Sequence, residues 1–393
     1  MRITFNPDNV YLFRKDEDVE MNSSRVIDTG IKGKVLCSFC DGRILVYRKG
    51  KFYVYSPDFL KIISEFELPL NDIKKIFSKF RLIERVLHVE PRWAVPINQE
   101  ETLIFYSGKM YHINTMTGKQ YSEELPVRGK PLSITHIEGV KGFHDSYLLG
   151  DYGTNNEREP VSVYQRPDDS GSWKVVYTFP AGTVRHVHNI IQDADEDRVL
   201  ILTGDEDAES GVWAAYNNFA SVVPILVGEQ RYRACQAFSS NGEVYLLSDK
   251  PSEANYLWKI DSVGKEIPQI QLLRGSCIYG TGTLGKGYFS TTCEPDAHAR
   301  NKIDYWLSTH PGKGIKDNSI DIMEFNNGKC EPLATFQGDG LPLRLFQYAT
   351  ATFSYSGDGK FYFTPVCVKL YDMHIFRIIE KKDRHNSNES SPY

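Results

Sequence analysis

Gly42–Ser56 reads GRILVYRKGKFYVYS, two apolar and aromatic runs on either side of a polar, glycine-containing turn. β-Branched and aromatic residues around such a turn are typical of a β-hairpin. Comparable pairs of runs begin near Glu100, Asp145, Asp197, Asn241, Leu284 and Asp358. An irregular period of roughly 40–50 residues predicts an all-β fold, a β-propeller in which each blade is one four-stranded sheet.

The repeats favour seven blades, with six or eight as alternatives, in a single domain over residues 1–380. The run Ile3–Phe13 is expected to pair with the last blade and close the ring, because closure removes exposed sheet edges. The polar tail at 381–393 lacks the apolar residues needed for a core. We therefore expect the tail to be disordered.

One segment, at about residues 71–88, interrupts the β pattern. Asn71–Leu87 carries apolar residues at helical spacing, with Asn71 or Asp72 as the N-cap. This predicts one inserted amphipathic helix, with Arg81 and Arg85 on a solvated basic face. The helix would either pack on the rim of the propeller or make peripheral contact with an anionic membrane.

Composition excludes several classes of protein. The formal net charge of -5 argues against nucleic acid as a partner, because phosphate binding requires a basic surface. The beginning of the sequence does not resemble a secretory signal. The seven cysteines are dispersed, which fits a reducing compartment. We expect a cytoplasmic protein, with the inserted helix as the feature that could hold it at the inner face of a membrane.

Carboxylates recur in the loop after the second strand of several blades. Equivalent loops of a propeller emerge on one face, so these side chains are expected to converge, although acidic loops are also common as solvated turns. They lie in the third, fourth, fifth and sixth blades: Asp151 and Glu157, then Asp205, Asp207 and Glu209, then Asp249, then Glu294.

Two histidines lie in the strand before the Asp205 loop. His186 and His188 are two residues apart, so they point the same way on a strand. With a carboxylate they could bind a divalent metal, and no other cofactor is expected. They could instead contact a sugar directly, or be satisfied by backbone and water within the channel. Equivalent inner strands are expected to bring further side chains to the axis: His136, Arg233, Tyr279 and Gln347.

Val163–Trp173 (VYQRPDDSGSW) resembles a degenerate Asp-box, the hairpin turn of sialidase-like BNR-repeat propellers. The leading serine is missing, and the spacing before Trp173 is one residue short. Gly150–Ser210, and more faintly Trp306–Gly312, is similar to a largely uncharacterised BNR-like family that tends to be encoded with surface-polysaccharide genes. The resemblance implies a propeller in a glycan context and supplies no catalytic residues. Sialidase activity itself is not expected, because no Arg-Ile-Pro signature is present near the N-terminus.

The leading hypothesis is a carbohydrate-active propeller, a glycoside hydrolase that acts on surface polysaccharide or its intermediates. The residues assigned to catalysis are Asp205, Asp207, Glu157, Asp151 and His186. The residues assigned to substrate binding are Arg185, His188, His136, Arg233, Tyr279, Glu209 and Glu294. The alternatives are a metal-assisted polysaccharide lyase, a cytoplasmic glycan-transferring enzyme at the membrane, and a non-catalytic propeller that binds a glycan or protein.

Overall fold

Antiparallel strands dominate the computed structural model, which describes residues 18–260, 266–283, 285–295, 301–355 and 359–380. Within these ranges the strands form seven sheets arranged as the blades of a propeller, as the repeats predicted. Two strands come before the first blade, β1 (Val19–Met21) and β2 (Val26–Lys32).

The blades then follow one another along the chain. Blade 1 contains β3 (Lys34–Ser38), β4 (Ile44–Arg48), β5 (Lys51–Tyr55) and β6 (Ile62–Phe66). Blade 2 contains β7 (Trp93–Pro96), β8 (Glu101–Tyr106), β9 (Lys109–Asn114) and β10 (Gln120–Glu123). Blade 3 contains β11 (Thr135–Ile137), β12 (Ser146–Gly150), β13 (Val161–Pro167) and β14 (Lys174–Phe179). Blade 4 contains β15 (His186–Asp193), β16 (Arg198–Gly204), β17 (Gly211–Tyr216) and β18 (Ser221–Val227).

The remaining blades include the long insertion of the sixth repeat. Blade 5 contains β19 (Ala234–Ser240), β20 (Glu243–Ser248), β21 (Asn255–Ile260) and β22 (Glu266–Leu273). Blade 6 contains β23 (Gly280–Thr283), β24 (Lys286–Ser290), β25 (Ser319–Asn326) and β26 (Lys329–Gln337). Blade 7 contains β27 (Thr350–Tyr355), β28 (Phe361–Val366) and β29 (His374–Ile378). Short 3-10 helices lie at Ala194–Glu196, Asp207–Glu209 and Gln230–Tyr232.

N-terminal strands complete the last two blades. β1 pairs with β26 at the outer edge of blade 6, and β2 pairs with β29 as the fourth strand of blade 7. The Thr29 hydroxyl also donates to the Ile375 carbonyl at 2.8 Å. The ring is therefore closed by an N-terminal strand, as expected, but the strand is Val26–Lys32. The segment proposed for this role, Ile3–Phe13, lies outside the described residues, as does the tail at 381–393.

The hydrophobic core lies between adjacent blades. Tyr47 and Phe52 of blade 1 pack with Tyr106 of blade 2, and all three side chains are fully buried. Each of the other interfaces has a similar cluster, including that between blade 7 and blade 1, where Tyr362 contacts residues of the first sheet. A single sheet cannot bury both of its faces, so this radial packing provides the main hydrophobic stabilisation.

The inserted segment forms two short helices, so the prediction of one continuous helix is wrong. These are α1 (Asp72–Phe77) and α2 (Arg81–Leu87), and a third, α3 (Lys302–Leu307), lies in the blade 6 insertion. Asn71 caps α1 as predicted, because its side chain accepts from the Lys74 amide at 2.8 Å. The helix α1 ends at Phe77 with Ser78 as its C-cap, and Phe80 has an extended backbone.

In this segment the exposed and buried faces are the reverse of those predicted from the sequence. Ile73 and Ile76 are 66% and 56% exposed, whereas Glu84 and Arg85 are each 2% exposed. Arg85 donates to the Asp339 carboxylate at 2.5 Å, and Arg81 pairs with Asp372 at 2.9 Å. The arginines predicted to face solvent therefore attach the helices to the propeller through ion pairs. Helical spacing alone could not reveal this, because the partner carboxylates lie far away in the sequence.

Contact of the segment 71–87 with a membrane stays a prediction. None of the helices in the described ranges has the length and apolar character needed to span a bilayer.

Candidate functional site

The site lies on the face where inner strands begin and second strands end. His186, the first residue of β15, pairs with Gly204, the last residue of β16, and Asp205 follows directly. In blade 5 the Asp249 amide donates to the Arg233 carbonyl at 3.0 Å. Within a blade, the residue that precedes the inner strand therefore lies beside the residue that follows the second strand. This is why side chains from these two positions meet.

Two cavities share lining residues near this face of the ring. A funnel of about 560 Å³ is lined by Glu294 and Tyr348 and extends towards α3. A central channel of about 700 Å³ runs along the inner strands and reaches His188. Arg92 and Tyr279 line both cavities, so funnel and channel adjoin at these two side chains, beside His188 and Glu294.

His186, His188 and Asp205 form a compact cluster. The two Nε2 atoms are 3.0 Å apart, and Asp205 Oδ1 lies 3.3 Å from Nε2 of His188 and 3.5 Å from Nε2 of His186. Burial lowers the pKa of His186, and the neighbouring Asp205 carboxylate offsets part of this effect. Burial alone would raise the pKa of Asp205, but the two neighbouring histidines and the charge of Arg233 lower it instead.

Three arginines surround this cluster. Arg233 NH2 lies 3.2 Å from Asp205 Oδ1, and Arg185 NH1 lies 3.4 Å from Asp205 Oδ2. The Arg92 guanidinium lies over the Tyr152 ring, 5.3 Å from its centroid, and that ring centroid is 4.4 Å from the ring of His186. Within the part of the chain that the structure describes, the buried Nε atom of each arginine has no hydrogen-bond partner.

A pair of carboxyl groups, those of Asp249 and Glu294, lies near Arg233. Asp249 accepts from Arg233 at 3.4 Å and from the Cys235 thiol at 3.2 Å. Burial, together with the charge of Asp249, raises the pKa of Glu294 to about 8. Burial also raises the pKa of the Cys235 thiol. One oxygen each of Asp249 and Glu294 has no hydrogen-bond partner among the described residues. The funnel therefore holds a carboxyl group that remains protonated at neutral pH.

Aromatic side chains form the wall of the site. Tyr152 and Tyr279 pack with Tyr348 on a small apolar cluster that includes Leu132 and Cys235. Burial raises the pKa of all three phenols, so they stay protonated. Aromatic faces beside polar and charged groups suit a ligand that has both apolar ring faces and polar edges.

The structure brings together seven of the residues predicted from the sequence. These are Arg185, His186, His188, Asp205, Arg233, Tyr279 and Glu294. Gln347 lines the same funnel and donates to the Arg85 carbonyl at 3.1 Å.

Asp151, assigned to catalysis, is held by the local backbone. The residue is 4% exposed, and its carboxylate accepts from the Arg128 and Ser162 amides at 2.6 and 2.8 Å. It also accepts from the Tyr164 hydroxyl at 3.2 Å. These contacts fix the connection between blades 2 and 3, and the catalytic role of Asp151 stays a prediction.

The other predicted residues are also placed away from the cluster. Glu157 and Asp207 are exposed, and Glu209 is paired with Arg158. His136 lines the channel, but its Nε2 lies 2.9 Å from Asp168 Oδ2 at the blade 3 hairpin. Of the carboxylates in the acidic loops, Asp205 directly follows its second strand, and Glu294 lies four residues beyond the end of β24.

The sequence analysis missed Arg92, Tyr152 and Tyr348, and it noted Asp249 in an acidic loop without assigning it a role. A positional signal exists for Arg92 and Asp249. Arg92 directly precedes β7, as Arg185 and Arg233 precede their inner strands. Asp249 directly follows β20, as Asp205 follows β16. Aligning the blades on these two positions would have identified both residues.

The hairpin that resembles an Asp-box connects β13 and β14. The Asp168 carboxylate contacts His136 there, and the Trp173 indole donates to Glu123 of blade 2 at 2.9 Å. Trp173 thus contributes to the contact between blades. Membership of the BNR family stays a prediction.

Known proteins resemble this chain in fold. No protein-family model and no curated protein matches the sequence. The chain is similar to the AfRom2 CNH domain, with 8% identity over 90% of this chain and 96% of that chain and a TM-score of 0.51. A chain of the mitotic checkpoint complex gives 8% identity, 91% and 95% coverage and a TM-score of 0.52. The WD40 propeller domain of Doa1 gives 10% identity, 93% and 98% coverage and a TM-score of 0.49. At such identities the likeness concerns the fold alone, and the protein is a seven-bladed β-propeller.

Proposed function

We propose that this propeller is an enzyme that cleaves an acidic saccharide at the junction of the funnel and the channel. The observation that carries the proposal is the set of unpartnered Nε–H groups of Arg92, Arg185 and Arg233. A buried donor without an acceptor costs free energy, and a ligand that supplies acceptors removes this cost. Guanidinium groups pair best with carboxylates, so the ligand we infer carries one.

Glu294 and Asp249 form a carboxyl pair that would supply the acid for hydrolysis. Glycosidases typically use two carboxyl groups, one of them protonated. Glu294, with a pKa of about 8, would donate its proton to the leaving glycosidic oxygen as the C–O bond breaks. Asp249, in hydrogen-bond contact with Glu294, would orient this acid. The water whose oxygen adds to the anomeric carbon would lose its proton to a base farther from Glu294, because the two catalytic groups of a glycosidase lie about 5–9.5 Å apart. Asp205, the residue first chosen from the sequence, is instead surrounded by two histidines and two arginines.

The test is a panel of acidic oligosaccharides with matched neutral analogues, with the products read by mass spectrometry. We expect products that carry one added water from acidic members only. Glu294→Gln should lower kcat by at least about 100-fold, the usual contribution of a general acid. Asp207→Asn, which changes an exposed carboxylate in the loop after β16, is the matched control and should leave activity unchanged. Cleavage of neutral members alone, or full activity of Glu294→Gln, would reject the proposal.

Elimination from a uronate is a second candidate, favoured by the stacking of Tyr152 on His186 beside the arginines. In that reaction a histidine or tyrosine abstracts the proton α to the carboxylate, and cations stabilise the resulting anion. The same mass spectra separate the two reactions, because elimination adds no water and leaves an unsaturated product.

A further inference from the structure

Main-chain carbonyl groups fix the orientation of both site histidines. Nδ1 of His186 lies 3.0 Å from the Gly153 oxygen, and Nδ1 of His188 lies 3.0 Å from the Ala234 oxygen. A carbonyl oxygen can only accept, so each Nδ1 carries a proton and donates it. A neutral imidazole has one N–H group, so each Nε2 has a lone pair.

Three acceptor atoms therefore face one another. They are the two Nε2 atoms, 3.0 Å apart, and Asp205 Oδ1 at 3.3 and 3.5 Å from them. An added proton could join the two nitrogen atoms, and Asp205 Oδ1 would then keep only its contact with Arg233 at 3.2 Å. A metal ion between them would satisfy all three lone pairs at once.

The separations match the size of a transition-metal site. Zn²⁺ binds histidine nitrogen at about 2.0–2.1 Å and carboxylate oxygen at about 2.0–2.2 Å in tetrahedral geometry. Adjacent ligand atoms around such an ion are then roughly 3.3–3.4 Å apart, close to the three separations here. Histidines that bind metals also commonly donate the second N–H to a main-chain carbonyl, as both do in this site.

We propose that His186, His188 and Asp205 bind one divalent transition-metal ion, with Zn²⁺ as the best fit. Three protein ligands leave a fourth position for water or substrate, as in catalytic zinc sites. Arg185 and Arg233 contact the Asp205 carboxylate and hold it beside the two rings. The proposal does not depend on the reaction proposed above, because it concerns only the binding of the ion.

A competing set consists of His188, Cys235 and Asp249, whose ligand atoms also lie close together. The Cys235 thiol donates to Asp249 at 3.2 Å, and Arg233 contacts the same carboxylate oxygen. A cysteine binds metal as the thiolate, so this set would have to lose both a proton and a hydrogen bond. The His186, His188 and Asp205 set requires neither change.

The experiment is calorimetric titration of Zn²⁺ into the full chain after chelator treatment, with bound metal confirmed by elemental analysis. We expect one ion per chain. His186→Ala should weaken binding by more than about 100-fold, because even the loss of a residue that only orients a ligand costs about 10–100-fold. His136→Ala, a histidine in another inner strand, and Asp207→Asn are matched controls that should bind like the wild type.

Circular dichroism shows whether each variant is folded. If His186→Ala fails to fold, the visible spectrum of the Co²⁺-loaded wild type shows whether the proposed ligands bind the ion. Four-coordinate ligation by nitrogen and oxygen gives strong bands. A folded wild type that binds no Zn²⁺ would overturn the proposal. So would undiminished binding by folded His186→Ala, or loss of binding in Cys235→Ala alone. Metal binding without any cleavage of saccharide would reject the proposed reaction and leave the metal site in place.

Discussion

Replacing Gly204 by alanine tests the packing that holds the histidine cluster together. A Cβ atom at this position would lie 2.5 Å from His188 Cε1 and 3.1 Å from its Nε2. It would also lie 3.3 Å from Arg233 Cγ. Non-bonded carbon atoms pack best at about 3.5–4.0 Å, so the imidazole would have to move by roughly 1 Å.

His188 has little room for such a movement. It is 2% exposed, and its Nδ1–H is held by the Ala234 carbonyl. Overpacking of this kind typically costs about 1–3 kcal/mol, and the shift also separates His188 from Asp205. We expect Gly204→Ala to lower the free energy of unfolding by that amount, measured by urea denaturation, and to weaken Zn²⁺ binding.

Gly171→Ala is the matched control for this substitution. Gly171 lies in an exposed turn, and the nearest atom to its added Cβ is 3.8 Å away. Its unfolding free energy should stay within about 0.5 kcal/mol of the wild type. If Gly204→Ala were as stable as Gly171→Ala and bound Zn²⁺ equally well, the account of a tightly packed cluster would be refuted.

Three further predictions concern the helices, the structural aspartate and the buried acid. Arg85→Ala should lower the free energy of unfolding by about 3 kcal/mol, because it leaves the Asp339 carboxylate without its partner. Ile76→Ser, at an exposed position, should change this free energy by less than about 0.5 kcal/mol. Equal effects of the two substitutions in urea denaturation would contradict the burial of Arg85 and the exposure of Ile76. Asp151→Ala should also cost about 3 kcal/mol, because three donors lose their acceptor, and exposed Glu157→Ala should be neutral in the same assay. Burial raises the pKa of Glu294 from 4.5 to about 8 in the folded protein. Between these two pH values the folded state therefore binds a proton that the unfolded state has lost. The stability of the wild type should therefore fall relative to Glu294→Gln as pH rises from about 4.5 to 8, and parallel pH profiles would show that the carboxyl is not buried as described.

Part of the site was predictable because a propeller converts position within a repeat into position in space. Arg185 and Arg233 directly precede inner strands, and Asp205 directly follows a second strand, so their convergence follows from the blade pattern. The pattern could not separate Asp205 from Asp151, which occupies the equivalent place in blade 3. The distinction depends on two backbone amides that reach Asp151 from Arg128 and Ser162, and only folding brings the first of them close.

The sequence by itself determined the all-β propeller and favoured seven blades, because alternating apolar strands and polar turns are local features that repeat along the chain. It also placed the two histidines on one side of an inner strand. Only the tertiary structure decided which carboxylates join them, which face of the inserted helices is buried, and that Val26–Lys32 closes the ring. These outcomes depend on contacts such as Arg85 with Asp339, between residues far apart in the chain, where electrostatic pairing outweighs the local hydrophobic pattern.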